Sequence, residues 1–147
     1  YPPELLWGLI RQESLFQPDV KSHADAYGLM QLLIPTAEKM AQKLGEKRGS
    51  LYDPVYNIRY GSAYLDDVSG VVGKNWSYIL ASYNAGPHKV KNWIDPPMAD
   101  IVLWVESIPY RETRGYVKSI LENVVIYHYQ KGRKVRITEY LNSFYPE

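Results

Sequence analysis

Apolar positions near the start of the chain recur at helical steps. Leu5, Leu6, Leu9 and Ile10 fall three and four residues apart, the spacing that puts side chains on one face of an α-helix. Pro2 and Pro3 suit its start and Pro18 closes the segment, so a helix is expected from 3 to 14 or 16. Continuing the stripe from Leu6 and Leu9 lands on Glu13, then on Phe16 and Gln17. A carboxylate thus stands where an apolar side chain is expected to point inward.

Beyond it, PDVKSHADAYG reads as a loop ending at Gly28. A second helix is expected from Pro35 and Thr36 through Met40, Ala41 and Leu44 to Gly45. Asp53 and Pro54 form a cap and first-turn pair for a third, which stops near Gly70 or Gly73. A fourth covers 76 to 83 and is broken by Asn84-Ala85-Gly86-Pro87. Short helices over 88–94 and 99–106 flank Pro96-Pro97. The longest runs from after Pro109 to about 130, with Val117, Ile120, Leu121, Val124, Val125 and His128 on its inner face. VRITEY, at 135–140, is the single strand candidate. The pattern predicts an all-α compact globule of about seven to nine helices, forming one domain over 1–147.

Composition narrows the function classes. With 147 residues, 46% hydrophobic and 22% charged, a packed core is expected and wholesale disorder is not. The longest apolar runs, such as IVLWV at 101–105, are too short to span a bilayer. YPPE at the start shows no basic-then-apolar leader and reads as a domain cut from something longer. A net charge of +1 gives no overall attraction to nucleic acid. The basic cluster KGRKVR follows the long helix, where its dipole favours cations; contact with an anionic polymer or lipid surface is the alternative. No cysteine is present, and His23, His88 and His128 form no local pair at metal-ligand spacing, so neither metal nor cofactor is expected. The 14 tyrosines and 4 tryptophans suit half-wet surfaces that receive amphipathic ligands such as sugars.

A glutamate in an apolar stripe resists ionisation, because its charge loses water; burial can bring its pKa from about 4.3 toward about 6. Such a group holds a proton near neutrality and can give it to a leaving oxygen, as glycosidic cleavage requires. A structural role, paired with an arginine or capping a loop, is the competing account of Glu13.

Four motifs bear on that choice: QES at 12–14, GLMQ at 28–31, SYNAG at 82–86 and ESIPYRETRGYV at 106–117. In this order they resemble the C-terminal catalytic domain of the soluble lytic transglycosylases. The resemblance runs from residue 1 to about 130 and carries little weight over 131–147. It implies a lysozyme-like fold with a substrate groove, related to goose-type lysozyme. It also implies non-hydrolytic cleavage of the β-1,4 bond between N-acetylmuramic acid and N-acetylglucosamine, leaving a 1,6-anhydromuramyl end. Glu13 matches the single catalytic acid and base, working with the substrate's own acetamido group in place of a second carboxylate. Ser22 matches the serine that contacts the muramoyl N-acetyl group, and Gln31 a substrate-contacting glutamine. Tyr83 matches the tyrosine beside the catalytic acid, while Glu112 and Tyr116 match the second acidic residue and the tyrosine of the ETRGYV segment. Asn84 is a neutral polar group suited to orienting the acetamide and ring hydroxyls. Peptidoglycan glycan strands are the implied partner, in the bacterial envelope, in the periplasm; no nucleic acid is implied, and protein partners are not specified.

Plainer accounts stand beside these. Leu29 and Met30 of GLMQ suit the core, the Asn84–Pro87 break is a helix stop in its own right, and Glu112 suits the start of a helix electrostatically. Glu112 and Tyr116, four apart, share a helical face, whereas Arg114 is offset and reads as a structural partner. Leu33 stands where many relatives have methionine, which suggests a tuned subsite. A goose-type-like muramidase using Asp25 to activate water, and an inactive wall-binding domain, are the alternative functions.

Overall fold

The computed structural model describes residues 2–141. Its elements are α1 (Pro3–Ser14), β1 (Ala26–Tyr27), β2 (Leu32–Leu33), α2 (Ile34–Lys43), α3 (Pro54–Val72), α4 (Trp76–Ala85), α5 (Pro87–Ile94), α6 (Ile101–Glu106), α7 (Arg111–Gln130) and α8 (Ile137–Leu141). The starts of α3, α4 and α6 carry side-chain caps. Asp53 accepts the Val55 N–H at 2.9 Å, and Asn75 accepts the Ser77 N–H at 2.9 Å. Asp100 accepts the N–H groups of Val102 and Leu103 at 2.9 and 3.3 Å. Gly86, at φ +94°, turns the chain between α4 and α5, where a side chain would be strained.

The strand expectation is corrected. Segment 135–140 is helical from Ile137 on. A lone strand would leave its backbone groups unpaired, whereas a helical turn satisfies them and sets Ile137 beside Val105 and Leu121. The sheet lies in the segment expected as a loop and its continuation. There β1 pairs antiparallel with β2, Ala26 opposite Leu33 and Tyr27 opposite Leu32, and each strand is too short for alternation to register.

The chain divides into two units, the division falling inside α1 and α3: residues 9–66, and the described parts of 1–8 and 67–147. In the first, Leu9, Met30, Met40, Tyr60 and Leu65 are fully enclosed. Tyr60 also accepts the Gly49 N–H through its hydroxyl at 2.9 Å, so the ring packs while its polar tip is satisfied. In the second, α7 supplies the floor through Val117, Ile120, Leu121 and Val124. Trp104 of α6 is buried there, with its indole N–H donated to the Trp93 carbonyl at 3.1 Å.

Within this second unit, Glu4 of α1 is only 3% exposed. Its carboxylate accepts from the Lys131 ammonium at 2.8 Å, with Arg133 at 3.8 Å. The ammonium also lies 4.5 Å from the centre of the Trp7 ring. Two cations of the KGRKVR cluster therefore pair, from the surface, with a buried carboxylate. Lys131 holds the Glu4 carboxyl below its ordinary value of 4.5, against the opposing effect of burial. A depressed carboxyl pKa stabilises the folded state above the unfolded value, and that contribution disappears as pH falls through the folded one. Replacing Lys131 by Met is expected to cost about 2 kcal/mol at neutral pH, because the buried Glu4 carboxylate loses its short charge partner. Urea denaturation between neutrality and acid pH checks this: the gap between variant and wild type must narrow in acid.

Candidate active site

Glu13 lies in the last turn of α1, one residue before the helix ends. It is half-buried, not enclosed as the apolar stripe suggested. The stripe has no further turn to continue it, and the enclosed carboxylate of α1 is Glu4. Ser14, buried beside it, donates its hydroxyl to the Ile10 carbonyl at 3.1 Å. The chain leaves the helix through Leu15 and Phe16, both left-handed, at φ 51° and 60°. Their side chains are exposed, Leu15 by 70% and Phe16 by 46%. Left-handed backbone costs a non-glycine residue about 1 kcal/mol or more, and such residues gather at functional sites. Among the described residues all the non-glycine cases, Leu15, Phe16, Asp25 and Gln31, fall in one stretch of this unit.

Ser22 and Gln31 bracket that stretch's loop. The Ser22 N–H donates to the Ala26 carbonyl at 2.9 Å, and its oxygen accepts the Ala26 N–H at 3.1 Å. Its hydroxyl proton has no partner among the described residues. Gln31 donates its amide nitrogen to the carbonyls of Gly28 at 2.9 Å and Val20 at 3.3 Å. That fixes the amide and leaves its oxygen as an acceptor. Asp25 is 3.2 Å from Lys21 and largely exposed, so it is an ion-paired loop acid. Leu29 and Met30 are core residues, as expected, while Leu33 is 46% exposed.

Asn57 of α3, which sequence reasoning missed, holds the GLMQ turn. Fully buried, it accepts the Met30 N–H at 2.7 Å and donates to the carbonyls of Tyr27 and Leu51 at 2.8 and 2.9 Å. The signal was present: Asn57 precedes Tyr60, Gly61, Tyr64, Leu65 and Val68 at helical steps, a polar side chain on an apolar stripe.

The other unit carries Tyr83 and Asn84, both half-buried in the last turn of α4. Asn84 accepts the Thr113 hydroxyl proton at 2.7 Å, and Thr113 is itself buried in the first turn of α7. Asn84 and Glu112 thereby share one cleft of about 460 Å³, walled also by Lys89, Tyr110 and Arg111. Glu112 is exposed, while Tyr116, one turn on, is only 7% exposed and does not line that cleft. Arg114 forks onto the Ile108 carbonyl with Nε at 3.2 Å and Nη2 at 3.0 Å, bracing the turn into α7 as a structural residue.

Residues 1–100 match the transglycosylase SLT domain. The chain belongs to that family. Residues 107–135 also match the soluble lytic transglycosylase helical domain. The chain is 40% identical over 139 residues to the soluble lytic murein transglycosylase of Escherichia coli K12, across 90% of this chain and 22% of that protein. It is 33% identical over 99 residues to the membrane-bound lytic murein transglycosylase C of Yersinia pestis, across 58% and 27%. This SLT-family chain thus spans about a fifth to a quarter of the length of these relatives. Its fold superposes on the 70 kDa soluble lytic transglycosylase of E. coli with a TM-score of 0.83 at 39% identity, covering 91% of this chain and 23% of that one. An inactive mutant of the lytic transglycosylase Slt from Pseudomonas aeruginosa, carrying glutamine in place of a glutamate, gives 0.83 at 36%, over 91% and 22%. The lysozyme-like architecture expected of an SLT domain is the one observed, mostly helical with one short two-stranded sheet.

Proposed function

We propose that this chain is the catalytic domain of a lytic transglycosylase, spanning 1–147, that cleaves peptidoglycan glycan strands in the bacterial envelope, in the periplasm. It cuts the β-1,4 bond between N-acetylmuramic acid and N-acetylglucosamine as a lyase, without water. The observation that carries this reading is the match of residues 1–100 to the transglycosylase SLT domain, with the QES glutamate at the end of α1. Inactivation of the Pseudomonas enzyme by exchange of one glutamate for glutamine fits a mechanism resting on a single carboxyl group.

Glu13, protonated, gives its proton to the glycosidic oxygen, and N-acetylglucosamine leaves as the alcohol. The acetamido oxygen of the muramoyl residue forms a bond to the anomeric carbon from the opposite face, replacing an enzyme nucleophile. Glu13, now a carboxylate, takes the proton of the six-position hydroxyl. That oxygen bonds to the anomeric carbon, the acetamido oxygen departs, and Glu13 ends protonated for the next cycle. Ser22, with a free hydroxyl proton, and Gln31, with a free amide oxygen, suit the N-acetyl group and the ring hydroxyls. Tyr83 and Tyr116 are assigned to the charge developing on the acetamide, and Asn84 and Glu112 to the glycan.

Digestion of isolated wall sacculi tests the reading. Released muropeptides should be lighter by one water than hydrolysis products and resist borohydride reduction at the muramyl end. A majority of reducing ends would favour the muramidase reading, and no release at all the wall-binding one.

A further inference from the structure

The short strand pair sorts its side chains onto two faces. Ala26 stands opposite Leu33 and Tyr27 opposite Leu32, and residues opposite one another share a face. Leu33, the position expected to tune a subsite, therefore points one way and Tyr27 the other. Tyr27 lines a separate depression of about 330 Å³, completed by Ile34, Arg48, Ser50, Leu51 and Tyr52. None of the residues assigned to cleavage contributes to its wall.

This depression is firmly built. Tyr27 and Tyr52 meet edge-on with ring centroids 5.7 Å apart, and Tyr52 is 45% exposed. The loop carrying Arg48, Ser50 and Tyr52 is braced by α3. Tyr60 accepts the Gly49 N–H, Asn57 donates to the Leu51 carbonyl, and the Tyr56 ring fills the space a side chain at Gly49 would need. Ser50 accepts the Tyr52 N–H at 3.3 Å, which leaves its hydroxyl proton to donate. Arg48 gives one N–H to the Gly49 carbonyl at 3.3 Å and keeps others for a ligand. Its charge is balanced by Glu38 at 3.8 Å. Lys21, which lies 5.5 Å from the centre of the Tyr27 ring, is likewise balanced by Asp25 at 3.2 Å.

An exposed tyrosine ring with hydrogen-bond donors beside it suits a pyranose sugar. The apolar C–H face of the sugar rests on the ring, and its hydroxyls and acetamide meet the donors. With both cations already balanced, the site offers little to an anionic lipid or a nucleic acid. We infer that Tyr27, Arg48, Ser50 and Tyr52 form a second glycan-binding site, separate from the cleavage residues, that holds an N-acetylated sugar of the wall polymer. The inference rests on the proposed glycan-cleaving reading, since one polymer then supplies sugars to both places. Holding a strand at the second site raises the effective concentration of sugars at Glu13.

Intact sacculi, and a soluble muropeptide too short to reach both places, separate the two roles. Wild type, Tyr52→Ala and Tyr52→Phe are assayed on both for anhydro product, with kcat and KM resolved, and are co-sedimented with sacculi. The ratio of kcat/KM on sacculi to that on the fragment should fall about fivefold in Tyr52→Ala, through KM, as one aromatic contact of a two-site attachment is lost. The sedimented fraction should fall with it. Tyr52→Phe, which keeps the ring, should retain both, and Arg48→Gln should lower the ratio in the same direction. An unchanged ratio, or an equal loss on the two substrates, overturns the second site and leaves the glycan-cleaving reading intact. Sedimentation with phosphatidylglycerol vesicles that Tyr52→Ala abolishes would overturn the sugar as its ligand. A wild-type protein that releases no anhydro product from either substrate overturns both readings.

Discussion

Glu13→Gln is expected to lower the rate of anhydromuropeptide release by about 10³-fold or more, the upper range for loss of a positioned acid–base group. Glutamine keeps the shape and the hydrogen-bonding tip and loses the proton. The effect should fall on kcat, because in the proposed mechanism the carboxyl acts on the leaving oxygen and then on the six-position hydroxyl. KM should hardly move. Stability should be preserved too: the side chain is half-buried at a helix end, and the apolar neighbours Leu9 and Ile10 are untouched. Glu13→Asp keeps the proton but withdraws it by one methylene, so a small residual rate is expected. Sacculi cleared at the wild-type rate by the glutamine variant would remove the catalytic role of Glu13.

The helices were legible because local signals fixed them. Asp53, Asn75 and Asp100 each bond to the first turn that follows them, and the stripe on α7 is buried at Val117, Ile120, Leu121 and Val124. Glu13 was legible as an interruption in a stripe, but its half-exposure was not, since periodicity does not say where a helix stops covering itself. The burial of Glu4 had no local signature: its partner Lys131 lies 127 residues away in sequence. No sequence signal set Lys89 or Arg111 apart from other charged positions. Only the packing of α4 and α5 with the start of α7 puts them on one wall with Asn84. The short sheet escaped because two-residue strands have no period, and its place depends on a buried amide from a helix some thirty residues on.

That amide gives the second large effect. Asn57→Ala is expected to destabilise the domain by about 3–5 kcal/mol, because the Met30 N–H and the Tyr27 and Leu51 carbonyls lose their partner in or near a dry core. Gly28→Ala strikes the same network from the other side. Gly28 sits at φ +74°, and a Cβ there would collide with the Leu51 carbonyl and the Asn57 amide nitrogen. Since the alanine would displace Asn57, combining the two changes should cost little more than the worse one alone, not their sum. Urea denaturation of the two single variants and the double measures this coupling. A function should move with it: Gln31 is tied to the Gly28 carbonyl, so weakening the turn releases the amide that faces substrate in the proposed mechanism. At temperatures where Asn57→Ala remains folded, its KM for glycan strands should rise while chemistry at Glu13 continues. A cost below about 1 kcal/mol would mean that water replaces the lost bonds, and the turn would then owe its shape to its own backbone.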